Sequence, residues 1–290
     1  MDNSKKLQKV LADLGLGSRR EIETWITEGK VKVNGRQAQI GQRVTDSDKL
    51  AVNGRMVKRN RGQQNHIQVL AYHKKEGEVS TRKDPERRST VYESLPKIFG
   101  GRWIAVGRLD INTSGLLLFT NSGELANKLM HPSSGIEREY SVRVQGELTA
   151  DKKEALLTGV ELEDGLARFN AIRESGGEGS NTWWHVTISE GRNREVRRLF
   201  EAVELRVSRL IRIKYGPIVL DRRIRRGKYV ELDPKSVESL CKSLDVEYLR
   251  PVMNKGQKGS RGNQNNRNIR NTRGSTSRAR SFNKSSSRKG

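Results

Sequence analysis

The chain has one cysteine, Cys241, and four histidines among its 290 residues. A single cysteine excludes an internal disulfide and any zinc site built from several thiolates. The histidines are scattered and lack the spacing of metal ligands. Cys241 falls in an amphipathic helical pattern, so we expect its thiol to be packed in the core.

Long apolar runs are also missing from the sequence. No run approaches the roughly 18 apolar residues of a membrane span. The N-terminal residues 1–6 contain no apolar signal segment. These two absences predict a cytoplasmic protein with no part in a membrane.

Negative charge is scarce, and the C-terminal end has none. Lys and Arg number 57 against 34 Asp and Glu, and the net charge of +23 predicts a polyanionic partner, nucleic acid before a membrane surface. Residues 254–290 hold 11 positive charges, no acidic residue and almost no apolar one. We expect this basic tail to be disordered. It is either a solubilising tail or, as we favour, an arm for RNA.

The residue patterns of positions 4–58 predict a small basic module of two helices and a hairpin sheet. Ser18 followed by Glu21 forms a capping box at the start of the second helix. Arg19 and Arg20 lie in the first turn of that helix, where positive charge opposes the helix dipole, so we expect them to contact something outside the fold. Two Asn-Gly pairs between alternating apolar residues predict hairpins.

A larger domain is expected over residues 66–249, after a polar linker at residues 59–65. Strand patterns alternate irregularly with few helical ones, which favours an α+β fold with a mixed, mostly antiparallel sheet. The glycine-rich residues 176–179 lack the lysine and hydroxyl of a P-loop and any dinucleotide-binding pattern. We expect a hairpin or loop there.

The most informative segment of this domain is the turn Gly-Arg-Leu-Asp at residues 107–110. It lies between two apolar runs that predict buried strands. A carboxylate in that position is costly unless it is paired or used. Asp110, Asn112 and Ser114 begin like a calcium loop, but the twelfth position lacks the required Glu. On these residues alone, Asp110 either stabilises the turn or performs catalysis.

A second segment, residues 191–200, is rich in arginine. Arg194, Arg197 and Arg198 have the spacing i, i+3, i+4, which predicts one basic helix face opposite an apolar stripe. Such a face is either solvated, or it cradles phosphate, or it supplies an arginine that pairs with a buried carboxylate. The density of arginine favours one of the two functional alternatives.

These segments together resemble the RsuA-type family of pseudouridine synthases. Residues 4–58 resemble the small RNA-binding domain of such enzymes. The chain departs from the family at residues 74–77, Lys-Lys-Glu-Gly for Lys-Pro-x-Gly, and at residues 87–90, Arg-Arg-Ser-Thr for Gly-Arg-Pro-Thr. The motifs that carry the resemblance are the turn at residues 107–110, the run Ser114–Thr120, the pair Glu139-Tyr140 and the segment at residues 191–198.

The resemblance implies an isomerase that needs no cofactor or metal. In the family, the glycosidic bond of a uridine in RNA breaks, and the uracil rotates and rejoins the ribose through a ring carbon. By resemblance, Asp110 acts on a flipped-out nucleotide as nucleophile or base. Tyr140 packs against the target base and assists proton removal, and Arg197 pairs with the carboxylate of Asp110.

The implied substrate is ribosomal RNA of the large subunit, modified by a monomeric enzyme. Small-subunit ribosomal RNA is one alternative, and a non-catalytic role as an RNA-binding protein in ribosome assembly is another. By resemblance, Arg108 props the site from which the nucleotide has flipped. The further RNA contacts that we expect are Arg192, Arg194, Arg198, Arg19 and Arg20.

Overall fold

The structure, a computed structural model, describes residues 4–58, 66–98, 101–178 and 181–248. The predicted linker at residues 59–65 and the predicted basic tail at residues 254–290 lie outside the described residues. The helices of the described part are α1 (Leu7–Asp13), α2 (Arg19–Thr27), α3 (Gly123–Met130), α4 (Ala150–Thr158), α5 (Glu195–Ala202) and α6 (Pro234–Ser243).

The N-terminal part has its own apolar core beneath helices α1 and α2. The predicted capping box is present at the start of α2: the Ser18 hydroxyl accepts from the Glu21 amide, and the Glu21 carboxylate accepts from the Ser18 amide. Its strands are β1 (Lys5–Lys6), β2 (Val31–Val33), β3 (Arg36–Gln37), β4 (Arg43–Val44), β5 (Leu50–Val52) and β6 (Arg55–Met56).

Both predicted Asn-Gly hairpins of this part are confirmed. Asn34 and Gly35 connect β2 to β3, and Asn53 and Gly54 connect β5 to β6. All four residues have positive φ, between 51° and 84°. Positive φ at both central residues is the geometry of the type I′ turn, whose twist matches that of the flanking strands.

A large mixed sheet forms the rest of the described chain, with the order β13-β14-β10-β15-β9-β7-β17. Only the pairing of β15 with β9 is parallel among the described strands, so the predicted α+β fold with a mostly antiparallel sheet is confirmed. The strands are β7 (Val69–Lys74), β8 (Ile104–Ala105), β9 (Ser114–Thr120), β10 (Arg138–Gln145), β11 (Val160–Leu162), β12 (Gly165–Ala167), β13 (Ala171–Glu178), β14 (Asn181–Ile188), β15 (Arg206–Tyr215), β16 (Ile218–Val219) and β17 (Tyr229–Glu231).

The interior strand β9 is buried on both sides, because an apolar cluster packs on each face of the sheet. Its side chains alternate between the faces. Leu117 and Phe119 enter one cluster, and Leu116 and Leu118 enter the other. The residues just before β9 are therefore fixed by a strand that has little freedom to move.

Cys241 lies on α6 and is fully buried in the second of these clusters. Burial raises the pKa of its thiol to about 11. The prediction of a packed core thiol is confirmed. Within the described ranges, no helix has the length and apolar character needed to cross a membrane.

Candidate active site

The Asp110 turn, residues 107–113, connects β8 to the buried strand β9. The Thr113 amide donates to the carbonyl of Asp110 at 3.0 Å and closes the turn. The Asp110 carboxylate is half-buried and has no hydrogen-bond or ion-pair partner among the described residues. The turn therefore presents an acceptor group that the fold itself does not use.

The backbone of this turn is held by hydrogen bonds from several other parts of the chain. Five consecutive carbonyl oxygens, from residues 109 to 113, each accept a hydrogen bond from outside the turn. Buried carbonyls need such partners, and here the partners also fix the position of the carboxylate. The donors are Ser80 Oγ to Leu109 at 2.8 Å, Lys74 Nζ to Asp110 at 3.0 Å, the Gly77 amide to Ile111 at 2.9 Å, Arg197 Nη2 to Asn112 at 2.8 Å and Lys74 Nζ to Thr113 at 2.8 Å.

Lys74 is the residue that sequence reasoning missed. Its side chain is fully buried at the end of β7, and its ammonium donates to three carbonyls, those of Lys75, Asp110 and Thr113. Burial lowers its pKa to about 8, although nearby carboxylates, Glu78 first among them, raise it. The available signal was a lysine close behind the apolar run at residues 69–72, because such a charge is rarely buried without a purpose.

Arg197 reaches the same turn from α5. Its side chain is 8% exposed and donates to the carbonyls of Asn112 and Val207. Its Nε has no hydrogen-bond partner in the described part of the chain. Burial lowers the pKa of the guanidinium, Arg194 lowers it further, and Asp110 raises it. The structure thus brings Arg197 to the Asp110 turn, but within the described residues it forms no direct ion pair with the Asp110 carboxylate.

Tyr140 lies on β10, which is separated by β15 from β9, the strand that follows the Asp110 turn. It is opposite Arg212 of β15, and Arg212 is opposite Gly115 of β9. The Tyr140 side chain is 9% exposed and belongs to the same apolar cluster as Leu109 of the turn. The sheet therefore brings together three chain segments that are distant in sequence: the turn, Tyr140 and Arg197.

The predicted basic helix face at Arg194, Arg197 and Arg198 is wrong. Helix α5 begins at Glu195, and Arg194 precedes it in the left-handed conformation, with φ of 48°. The Glu195 carboxylate folds back to accept from the Arg192 amide, which sets this start. Arg194 is exposed, whereas Arg197 is buried in the protein.

Arg192 and Arg198 are both bound to the β11–β12 hairpin. Arg198 forms a bidentate pair with the Asp164 carboxylate at 2.8 and 2.9 Å. Arg192 donates to the carbonyls of Asp164, Gly165 and Leu166. Their role as RNA contacts stays a prediction, and RNA would have to share these guanidinium groups with the hairpin.

The remaining arginines that were predicted to contact RNA are open to solvent. Arg108 is exposed on the Asp110 turn, and Arg19 and Arg20 are exposed at the start of α2. The loop before α2 lies against the larger domain: a Cβ on Gly15 would be 2.6 Å from the carbonyl oxygen of Gly101. The first turn of α2 therefore lies close to the part of the chain that carries β8.

Comparisons with known proteins identify the family of each of the two parts. Residues 68–202 match the family model described as RNA pseudouridylate synthase, and residues 5–50 match that of the S4 domain. The chain is 56% identical over 232 residues to ribosomal large subunit pseudouridine synthase B of Escherichia coli K12, which is 79% of this chain and 80% of that protein.

The protein of the same name from Pseudomonas aeruginosa is 53% identical over 253 residues, or 87% of this chain but only 65% of that protein. A crystal structure of a pseudouridylate synthase has a TM-score of 0.56 and 26% identity, and the match covers 81% of this chain and 99% of that chain. The family model, the relatives and the shared fold thus define an enzyme that acts on RNA. The chain belongs to the RNA pseudouridine synthase family and carries an S4 domain at its N-terminus, so the predicted family and enzyme class are confirmed.

Proposed function

We propose that this enzyme converts uridine to pseudouridine in large-subunit ribosomal RNA. The names of relatives that are 53–56% identical support this substrate. The observation that carries the proposal is the carboxylate of Asp110, which has no partner among the described residues and lies on a turn in which the carbonyls of residues 109–113 are all held. A group so positioned is ready to act on a substrate without rearranging the fold.

In the proposed reaction, the target nucleotide leaves the RNA stack and enters the site beside Asp110. The bond between the ribose and the uracil nitrogen breaks, and a bond to a uracil ring carbon replaces it. The ring carbon loses a proton and the nitrogen gains one, so the atoms balance without a co-reactant. Asp110 serves as nucleophile or as base at the sugar, and Tyr140 holds the base and assists the proton transfer.

Arg197 is proposed to hold the turn through the carbonyl of Asn112 and to place a positive charge beside it. Arg108, exposed on the same turn, is proposed to fill the site that the flipped nucleotide leaves. Arg194, Arg19 and Arg20 are proposed to bind phosphates, since all three are exposed.

Mapping pseudouridines in both ribosomal RNAs tests this function. Cells that lack the protein should miss pseudouridine at defined large-subunit positions, and the intact gene should restore it. Restoration by the Asp110→Asn variant would favour a non-catalytic assembly role. If the missing pseudouridine lies in the small-subunit RNA instead, the small-subunit RNA is the substrate.

We also propose a division of labour along a monomeric, cytoplasmic enzyme. The module at residues 4–58 selects the site on folded RNA, residues 66–249 perform the chemistry, and the tail adds salt-sensitive affinity that does not depend on sequence. Deletion of the residues after Met253 should weaken binding at low salt and leave the modified nucleotide unchanged. Deletion of residues 1–58 should reduce site selection even at low salt. Light scattering during gel filtration tests whether the enzyme is a monomer in solution.

A further inference from the structure

The segment Asp221–Lys228, which we call the basic loop, has the sequence DRRIRRGK. The segment contains four arginines and one lysine but only one acidic residue, Asp221. Asp221 already forms an ion pair. Arg223 binds Asp221 through Nε and Nη2. The side chains of Arg222, Arg225, Arg226 and Lys228 are exposed and form no ion pair with any acid in the described part of the chain.

The backbone of the basic loop is tied to β7 at one residue, His73. The His73 ring Nδ1 lies 2.8 Å from the carbonyl oxygen of Ile224, the His73 amide donates to the carbonyl of Lys228 at 2.9 Å, and the Gly227 amide donates to the carbonyl of His73 at 2.7 Å. Ile224 is buried in the apolar cluster beneath the sheet. The charges are therefore carried on a fixed backbone and not on a freely moving segment.

The point of attachment places the basic loop beside the Asp110 turn. His73 directly precedes Lys74, whose ammonium binds the carbonyl of Asp110. Gly227 packs so closely on Lys75 that a Cβ there would be 2.6 Å from Lys75 Cε. Lys74 of β7 thus holds the Asp110 turn, and its neighbour His73 holds the basic loop.

Four uncompensated cations on a short, fixed loop repel one another, and the fold gains no ion pair from them. They are therefore suited to a ligand that carries several negative charges at regular spacing. Arginine, which dominates the loop, binds phosphate in bidentate geometry. We propose that the basic loop binds the phosphate backbone of the RNA strand that flanks the target uridine. The proposal rests on the function proposed above, and it adds a surface separate from the S4 domain and the tail.

The test compares two charge-matched triple variants of the full chain. The first is Arg222→Gln, Arg225→Gln and Arg226→Gln. The control, Arg168→Gln, Arg206→Gln and Lys235→Gln, removes three exposed cations from other elements. The probes are unmodified transcripts of large- and small-subunit ribosomal RNA, and vesicles of phosphatidylglycerol and phosphatidylcholine as a membrane surface. Binding is measured over a range of salt concentrations, and pseudouridine formation over a range of RNA concentrations.

We expect the loop variant to raise the KM for RNA at least tenfold and to keep kcat within about twofold. The slope of log affinity against log salt should fall by about 2, since each lost phosphate contact contributes about 0.7–0.9. A triple Arg→Lys variant, which retains the charge, should keep most of the slope. Circular dichroism verifies that every variant is folded.

Three results would overturn the proposal: equal losses in the loop and control variants, unchanged binding in the loop variant, or a fall in kcat with unchanged KM. Loss of binding to phosphatidylglycerol–phosphatidylcholine vesicles with unchanged RNA binding would identify a membrane surface instead. If the parent enzyme forms no pseudouridine in either transcript, the proposed function fails. The binding measurements decide the role of the loop in that case as well.

Discussion

The ammonium of Lys74 lies 3.0 Å from the carbonyl oxygen of Asp110, and this contact links a buried charge to the reactive turn. The same ammonium also donates to the carbonyls of Lys75 and Thr113. A protonated lysine has three N–H donors, and all three are used here. A neutral amine has only two, so the hold on the turn depends on the protonation of Lys74.

We expect catalysis to weaken as the pH rises through about 8, the pKa to which burial lowers Lys74. Above that pH the amine is neutral and must release one carbonyl. The measurement is the single-turnover rate of pseudouridine formation between pH 6.5 and 10. Lys74→Met should lose most activity at every pH, and the exposed Lys235→Met serves as the control.

The stability of the fold should move in the opposite direction over this range. Because the pKa of Lys74 in the folded protein lies below its ordinary value of 10.5, the unfolded chain binds more protons between about pH 8 and 10.5. The contribution of Lys74 to the free energy of unfolding therefore rises with pH across that window.

The catalytic prediction has its own contradicting outcome. A single-turnover rate of pseudouridine formation that stays flat through pH 9 would contradict the role of Lys74 in holding the Asp110 turn.

Tyr140 provides a test of proton transfer. Its hydroxyl has no hydrogen-bond partner among the described residues, so Tyr140→Phe should leave the fold intact. We expect a loss of at least about tenfold in kcat with little change in KM, since general acid–base groups contribute about 10²–10⁴-fold. Tyr140→Ala should also lose the positioning of the base. Tyr229→Phe, at an exposed tyrosine on β17, is the control. Equal turnover by Tyr140→Phe and the parent would leave Tyr140 as a stacking surface only.

Local features of the fold could be predicted from the sequence because they depend on neighbouring residues. The capping box joins Ser18 to Glu21, three positions apart, and each Asn-Gly turn requires positive φ at two adjacent residues. The position of Asp110 in a turn before a buried strand followed from the same kind of local pattern. These features need no knowledge of the rest of the molecule.

The support of the site could not be predicted, because its partners are distant in sequence. Lys74 is 36 residues from Asp110, and Arg197 is 85 residues from Asn112. The direction in which the Arg197 side chain points also depends on where α5 begins. That start follows Arg194 in the left-handed conformation, and the local sequence gives no signal for this conformation. The antiparallel pairing of β7 with β9 brings Lys74 to the turn. The parallel pairing of β15 with β9 brings the chain that follows α5 to the same place.

Gly115, the second residue of β9, tests the importance of that pairing. Its φ is 108°, and a Cβ there would overlap the backbone carbonyl oxygen and amide nitrogen of Arg212. We expect Gly115→Ala to lower the free energy of unfolding by about 3 kcal/mol or more, because backbone strain and overlap add. Gly41→Ala has positive φ but open space around it, and it should cost about 1–2 kcal/mol. Equal costs in urea titrations of the two variants would show that the close approach to Arg212 is relieved easily.

Asp110→Asn is the most direct test of the chemistry. Asparagine keeps the size and turn preference of aspartate, and the Asp110 carboxylate has no partner within the described ranges to lose. The variant should therefore fold normally and bind RNA within about tenfold of the parent, or ~1.4 kcal/mol. It should form no detectable pseudouridine, because a neutral amide is neither a nucleophile nor a base at the sugar. Asp151→Asn, at an exposed carboxylate on α4, controls for the loss of one negative charge. Appreciable activity in the Asp110 variant would assign the carboxylate to the turn alone, and the reacting group would then have to be sought elsewhere in the site.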